Sequence, residues 1–211
     1  MHESVAINPS FVSPAPLEPF HTPALRRAAE RLADPSGLMW WRLPAPAPRD
    51  RVFADLIEDP PVGVAWHTAE QTARLLGLMS AVNRAKVEDA ARCGRRRVGA
   101  VYRRTRRDGA GARIQRAEVR FDDVSGCLRT PAGGSSRQLI LVVEGPAVRS
   151  RLTSARESAR LMGLADAYVL PANYNQAYRL TGDGVVVDVV RHLARRLIEP
   201  LLKARTIRAA A

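Results

Sequence analysis

Apolar positions along the chain fall into two textures, with helical spacing toward both ends and strand-like runs between them. Thr22-Pro23, a cap residue followed by proline, predicts a helix running through Leu32 and ending before Asp34-Pro35. Thr68-Ala69-Glu70-Gln71 reads as a capping box and predicts a helix through Ala73, Leu75, Leu76 and Met79. A second helix follows from Ser80 to Cys93 and stops at Gly94. Beyond Gly94 the period shortens. The run Arg95 to Arg107, the turn residues Asp108-Gly109-Ala110-Gly111 and the return Ile114 to Phe121 predict a β-hairpin, and Leu139-Ile140-Leu141-Val142-Val143 predicts a further strand. Helical spacing then resumes. Ser154 and Glu157 form another capping box, so a helix starts at Ala155, carries Ala159, Leu161, Met162 and Leu164, and stops near Gly163. Arg156 and Arg160, four apart, make a cationic stripe on it. Val185, Val186, Val189, Val190, Leu193, Leu197 and Leu201 predict a last helix interrupted by Pro200.

The remaining segments are punctuated by proline. Residues 1–20 hold Pro9, Pro14, Pro16 and Pro19 and read as an extended lead-in, with Val5-Ala6-Ile7 as a short strand. Trp40-Trp41 precedes the stiff connector Pro44-Ala45-Pro46-Ala47-Pro48 and fits a plug for a small core better than a platform for unpaired bases. Arg51 to Ile57 reads as a short helix or strand ending at Pro60-Pro61.

Charge changes the picture. The chain has 211 residues, 46% of them hydrophobic, with 33 basic against 21 acidic side chains and a net charge of +12. Such a balance suits a polyanionic partner. No apolar run has membrane length and the first residues lack a secretory pattern, so a soluble cytoplasmic protein is expected. Cys93 and Cys127 are too few and too isolated for a disulfide framework or a zinc site, and read as buried or idle thiols. His67, without a partner histidine or carboxylate at useful spacing, reads as a surface or capping residue.

Two stretches carry candidate nucleic-acid chemistry. Arg103, Arg104 and Arg106 lie in the densest positive charge of the chain, alternating with Val101 and Tyr102 on the expected ribbon, where arginine grips phosphate bidentately. A charge run is ordinarily just a solvated face. The segment Arg129-Thr130 through Gly133-Gly134-Ser135-Ser136-Arg137 joins small residues that permit close approach to donors for phosphate and base edges. A third candidate is Gly182-Asp183-Gly184-Val185, a turn opening a helix, whose backbone N–H groups suit a ligand.

In order and separation, Arg151, Ser154, Arg156, Glu157, Arg160, Leu161, Asp166 and Tyr168, then Gly182, Gly184, Val185 and Val189, resemble the two closing motifs of the cytosine-5 DNA methyltransferases. Ala155, Ala165 and Asp188 stand where that family has prolines, Thr153 where it has leucine and Asp183 where it has asparagine. The helix survives these changes, because proline in a first turn only pre-sets φ.

The resemblance implies an α+β chain: an extended lead-in over 1–20, a β-rich target-recognition domain over 21–147, and over 148–211 a helical segment completing a Rossmann-like methyltransferase domain. Double-stranded DNA is then the partner, contacted by the Arg103 ribbon and the Gly133–Arg137 segment. Gly182, Asp183, Gly184 and Val185 close one wall of an S-adenosylmethionine pocket. Arg156, Glu157 and Arg160 pack the recognition domain on the catalytic core. The family's Phe-x-Gly-x-Gly turn, Pro-Cys nucleophile and Glu-Asn-Val segment do not occur in these residues. The chain alone is therefore expected not to methylate DNA, with a separate subunit supplying the catalytic half, or the chain being a remnant or fragment. A non-enzymatic DNA-binding or regulatory module is the competing expectation.

Overall fold

The computed structural model describes residues 11–130 and 137–203. Its architecture is α+β, and the chain divides into two compact units: residues 1–48 with 188–211, and residues 49–187. The Val5-Ala6-Ile7 strand lies outside the described residues. No helix among the described residues is long and apolar enough to cross a membrane.

In the first unit, β1 (Val12–Ser13) pairs antiparallel with β2 (Trp40–Trp41), and α1 (Pro23–Ala29) lies between them in sequence. Thr22 caps α1 by accepting from the Leu25 N–H at 3.3 Å. The helix ends at Ala29 rather than Leu32. The Trp40 ring lies 4.8 Å from the His21 ring at a 55° tilt, and His21 Nδ1 accepts from the Leu17 N–H at 2.6 Å, so this tryptophan packs on its own chain.

The second unit opens with a 3-10 helical turn, Phe53–Leu56, then α2 (Ala69–Gly77) and α3 (Ala81–Arg92). The α2 capping box is complete: Thr68 Oγ1 accepts from the Gln71 N–H at 3.2 Å, and Gln71 Oε1 from the Thr68 N–H at 2.9 Å. Gly94, at φ +68°, takes the left-handed conformation that stops α3. Four antiparallel strands follow in the spatial order β4-β3-β5-β6, namely β3 (Arg97–Arg107), β4 (Arg113–Arg120), β5 (Leu139–Glu144) and β6 (Ala147–Leu152).

β5 lies between β3 and β6, and both faces of the sheet are covered. On one face Val101, Ala117, Val119, Leu139, Leu141 and Val143 pack on Leu75 of α2, Met79 between α2 and α3, and Val87 and Ala90 of α3. On the other, Val98, Ala100, Ile140 and Val142 pack on Phe53. An unbroken Leu-Ile-Leu-Val-Val run is the sequence of such a strand, since neither face meets water. β6 went unpredicted because arginine occupies its positions 149 and 151.

Three helices complete the chain: α4 (Ala155–Leu161), α5 (Tyr174–Asp183) and α6 (Val187–Leu193). A five-residue π-helical stretch, Ala194–Ile198, continues α6, and the helix extends to Lys203 with Pro200 inside it. The π-stretch loosens the hydrogen-bond ladder just ahead of Pro200, which has no N–H to contribute to it.

α4 is set on the sheet by a fully buried ion pair. Arg151 of β6 and Glu157 of α4 meet in two hydrogen bonds of 2.7 and 2.6 Å with side chains 0% exposed. Every other contact of this pair is internal: Arg151 donates to the carbonyls of Glu58 and Leu152, and Glu157 accepts from the N–H groups of Glu58 and Ser154. Removing one partner leaves a buried charge uncompensated, so Glu157→Ala is expected to cost about 3–5 kcal/mol of stability in urea unfolding. Replacing both, as Arg151→Met with Glu157→Leu, should recover much of that loss.

Candidate functional site

The capped helix α4 forms as its sequence dictates. Ser154 Oγ accepts from the Glu157 N–H at 3.0 Å while Glu157 accepts from the Ser154 N–H at 2.7 Å, and Gly163 at φ +78° ends the helix. Its arginines do not form an open stripe. Arg156 donates to the carbonyls of Ala165 and Tyr168, and Arg160 makes a bidentate pair with Asp166 at 2.7 and 2.9 Å and reaches Glu58 at 3.8 Å. The Arg160 guanidinium holds the Asp166 carboxyl below the usual carboxylate range. Arg156, Glu157 and Arg160 thus find partners within this chain, and the two arginines brace the segment between Leu161 and Tyr168.

Gly182-Asp183-Gly184 differs from the expected helix-opening turn. Gly182 and Asp183 are the last turn of α5, Gly184 is extended and breaks the helix, and the next helix starts at Val187. Each glycine marks a close approach. A Cβ on Gly182 would stand 2.8 Å from the Thr130 backbone nitrogen, and one on Gly184 3.1 Å from the Leu180 carbonyl oxygen. The Asp183 carboxylate accepts from the Thr130 hydroxyl. Val185 is 67% exposed.

The two motifs meet. The Val187 N–H donates to the Met162 carbonyl at 2.9 Å, and Met162 Cε lies 3.7 Å from where a Gly184 Cβ would be. They share a cleft of about 470 Å³ floored by Phe53, Leu56, Leu128, Leu161 and Met162, with Gly182, Gly184 and Val186 on one side and Arg49 and Arg51 at its rim. Its size and apolar floor fall in the range of small-molecule sites.

The arginine ribbon is longer than the sheet. β3 pairs with β5 only over Arg97–Val101 but with β4 over Ala100–Arg107, so the outer half of the hairpin is a two-stranded arm. Strand alternation splits the predicted arginines between its faces. Arg104 and Arg106 share a face with Tyr102 and both reach Glu118, Arg104 at 3.4 Å and Arg106 at 2.9 Å through its Nε. Arg103 is on the opposite face, that of Val101 and Ala117. Burial depresses the His67 imidazole and Arg103 adds to the shift, and the His67 Nδ1 lies 2.9 Å from the Ser150 hydroxyl. His67 is therefore tied to β6 rather than free at the surface. Cys93 and Cys127 are free thiols, and exposed rather than buried.

Gly133, Gly134, Ser135 and Ser136 lie outside the described residues, but Arg129, Thr130 and Arg137 beside them do not. Arg129 is exposed. Arg137 donates to the Asn175 side-chain carbonyl and stacks 5.5 Å from the Tyr174 ring centroid. Next to it the Gln138 N–H donates to the Tyr178 hydroxyl at 3.0 Å. These α5 residues were missed in the sequence, although Asn173 is a readable N-cap and Tyr174, Ala177, Tyr178 and Thr181 keep helical spacing. Glu58 and Glu118 were missed too, as isolated acids with no local signal.

A family model described as C-5 cytosine-specific DNA methylase matches residues 51–199. The Type II methyltransferase M.NlaX of Neisseria lactamica is 35% identical over 57 residues, which is 27% of this chain and 18% of that protein. The chain thus matches less than a fifth of that relative's length.

Burial pushes the Tyr174 phenol up to about 12, with neighbouring Tyr178 adding to the shift. Because this lies above the ordinary value of 10, the stabilisation is complete below about pH 10 and is lost as pH rises toward 12. Burial also raises the Tyr178 and Tyr102 phenols, so absorbance titration is expected to show late phenolates, with the one near pH 12 absent in Tyr174→Phe.

Proposed function

Because the chain belongs to the C-5 cytosine-specific DNA methylase family, we propose that it is the C-terminal part of such an enzyme, recognising target DNA and lending one wall to the S-adenosylmethionine site. The observation that carries this reading is the junction of α4 with the Gly184 segment. Two motifs about twenty residues apart are bonded through Met162 and Val187 and line one cleft. On this reading residues 21–147 supply the recognition domain and 148–211 return to the catalytic domain.

S-adenosylmethionine supplies the methyl group when bound. The residues present fit one wall for it: glycines with no room for side chains, the apolar faces of Val185 and Val186, and the Asp183 carboxylate already engaged by Thr130. They do not include the nucleophile. Neither Cys93 nor Cys127 follows a proline, and the Pro-Cys, Phe-x-Gly-x-Gly and Glu-Asn-Val segments are absent from these 211 residues. The catalytic half comes from another chain or another part of a longer one. In a methyl-transfer assay the chain alone should give no product, and transfer by these residues unaided would overturn the assignment.

Duplex DNA is the partner that the hairpin arm suits. A two-stranded ribbon fits the major groove of B-DNA, about 12 Å wide, and arginine pairs bidentately with phosphate or guanine. Arg104 and Arg106 meet one shared acid, Glu118, so the arm keeps positive charge to spare. Binding should weaken steeply with salt, and Arg104→Ala with Arg106→Ala should flatten the log–log salt slope by about 2. Glu118→Gln, which releases both arginines, should tighten binding. A gel shift that is absent or indifferent to salt would remove DNA as the partner.

A further inference from the structure

A cationic pocket lies where the outer strand β4 meets α3. The helix serves the open edge of that strand: the Val119 N–H donates to the Asn83 side-chain oxygen at 3.0 Å, and the Val119 carbonyl accepts from Lys86 Nζ at 3.2 Å. Two residues on, the Phe121 carbonyl accepts from the Arg97 guanidinium at 2.7 Å. Phe121 is held there by its ring, which comes within 2.7 Å of where a Cβ on Gly99 would stand. Between these groups is a cavity of about 300 Å³ lined by Lys86, Asp89, Ala90, Cys93, Arg97 and Phe121.

Both cations keep charge and donors in hand. Each spends one N–H on an uncharged carbonyl and has others to offer. Among the described residues neither meets a carboxylate, and Asp89, the acid in the lining, pairs with Arg92. The Cys93 thiol donates to the Ala90 carbonyl at 3.0 Å, so that helix-end oxygen is engaged rather than set against an anion. Residues two apart on a strand are separated by about 7 Å. The carbonyls of Val119 and Phe121 therefore hold the ammonium and the guanidinium at a spacing that one tetrahedral anion can bridge.

We propose that the α3–β4 pocket is a phosphate-binding site that takes one backbone phosphate of bound duplex DNA between Lys86 and Arg97. This rests on the reading of the chain as a DNA-recognition part. Arginine and lysine are the side chains that grip phosphate, and such contacts fix orientation without reading sequence. Arg97 precedes Arg104 by seven residues on β3, about 24 Å of strand. That is less than the roughly 34 Å of one B-DNA turn. One duplex therefore reaches both, with the pocket setting how the hairpin arm lies against it.

The test uses the full chain, with Cys93 as reporter because its exposed thiol lines the pocket. With duplex DNA at about ten times Kd, alkylation of Cys93 by iodoacetamide should slow about ten-fold. Lys86→Gln keeps a donor for the Val119 carbonyl and loses the charge. It should flatten the log–log salt slope by about 1, and by the same amount when added to Arg104→Ala with Arg106→Ala, since pocket and arm are separate contacts. Lys86→Arg should retain the wild-type slope. A lysine that only covers the edge of β4 would leave the slope unchanged in Lys86→Gln. DNA binding that leaves either the Cys93 rate or the Lys86→Gln slope unchanged overturns the proposal while the broader DNA reading stands. Inorganic phosphate at matched ionic strength is the second probe. If it slows Cys93 but not Cys127, and bound duplex slows neither, the pocket holds a free anion and the proposal also fails. Absence of all DNA binding by the wild type removes both readings. If Lys86→Gln does not fold, the Cys93 rate in the wild type decides.

Discussion

Arg151 and Glu157 are the least expected occupants of the interior and the pair on which its layout depends. Withdrawing two charges from water is costly, and their mutual attraction offsets that cost only when the remaining donors and acceptors are satisfied. Here they nearly all are. Glu58 contributes its carbonyl to Arg151 and its N–H to Glu157, and its carboxylate accepts from the Ser154 hydroxyl at 2.7 Å. The guanidinium also lies 5.0 Å from the Trp66 ring centroid. One pair thus joins β6, the start of α4 and the irregular segment before α2. An apolar pair could fill the same volume, but it would not dictate which atoms meet.

From that pair the geometry runs outward. With its N-terminus fixed, α4 presents Leu161 and Met162 to the cleft and passes through Gly163 toward Asp166, where Arg160 secures the exit. Met162 then receives two neighbours, Val187 through its carbonyl and Tyr178 through its side chain. The site is therefore assembled by tethering several short elements to one helix of seven residues, rather than by a long rigid scaffold.

What could be read from the sequence was whatever is local. Both capping boxes, the left-handed glycines after α3 and α4, the hairpin turn and the apolar β5 run depend on residues within a few positions of one another, and each lies where its spacing puts it. β6 was hidden because Arg149 lies 4.4 Å from the Trp66 ring centroid and Arg151 is buried, so an interior strand reads as polar. α5 was hidden for a related reason. Its buried side is Ala177, Tyr178 and Thr181, not leucine or valine. Gly182 and Gly184 read as a turn, yet only the second breaks the helix, since the first serves the approach of Thr130. Partners such as Glu58 for Arg151, or Asn175 for Arg137, are joined only by the tertiary fold.

The same division bears on the charge. A net +12 suggests a uniformly cationic surface, but arginine here has at least three uses. Arg151 is interior, and Arg97, Arg156 and Arg160 tie loops by donating to backbone carbonyls. Arg92, Arg96 and Arg120 meet nearby acids at the surface, where such pairs add little stability. Exposed arginines remain in several places, Arg27, Arg95, Arg129, Arg179 and Arg195 among them, and one cluster of them is the outer half of the β3–β4 arm, where two arginines converge on a single glutamate beside Arg107 and Arg113. Total charge alone is therefore a poor guide to a binding face. Subtracting the arginines that already have structural duties leaves exposed ones at several places along the chain, and those of the hairpin arm are set apart by position, on the part of β3 that β5 does not pair.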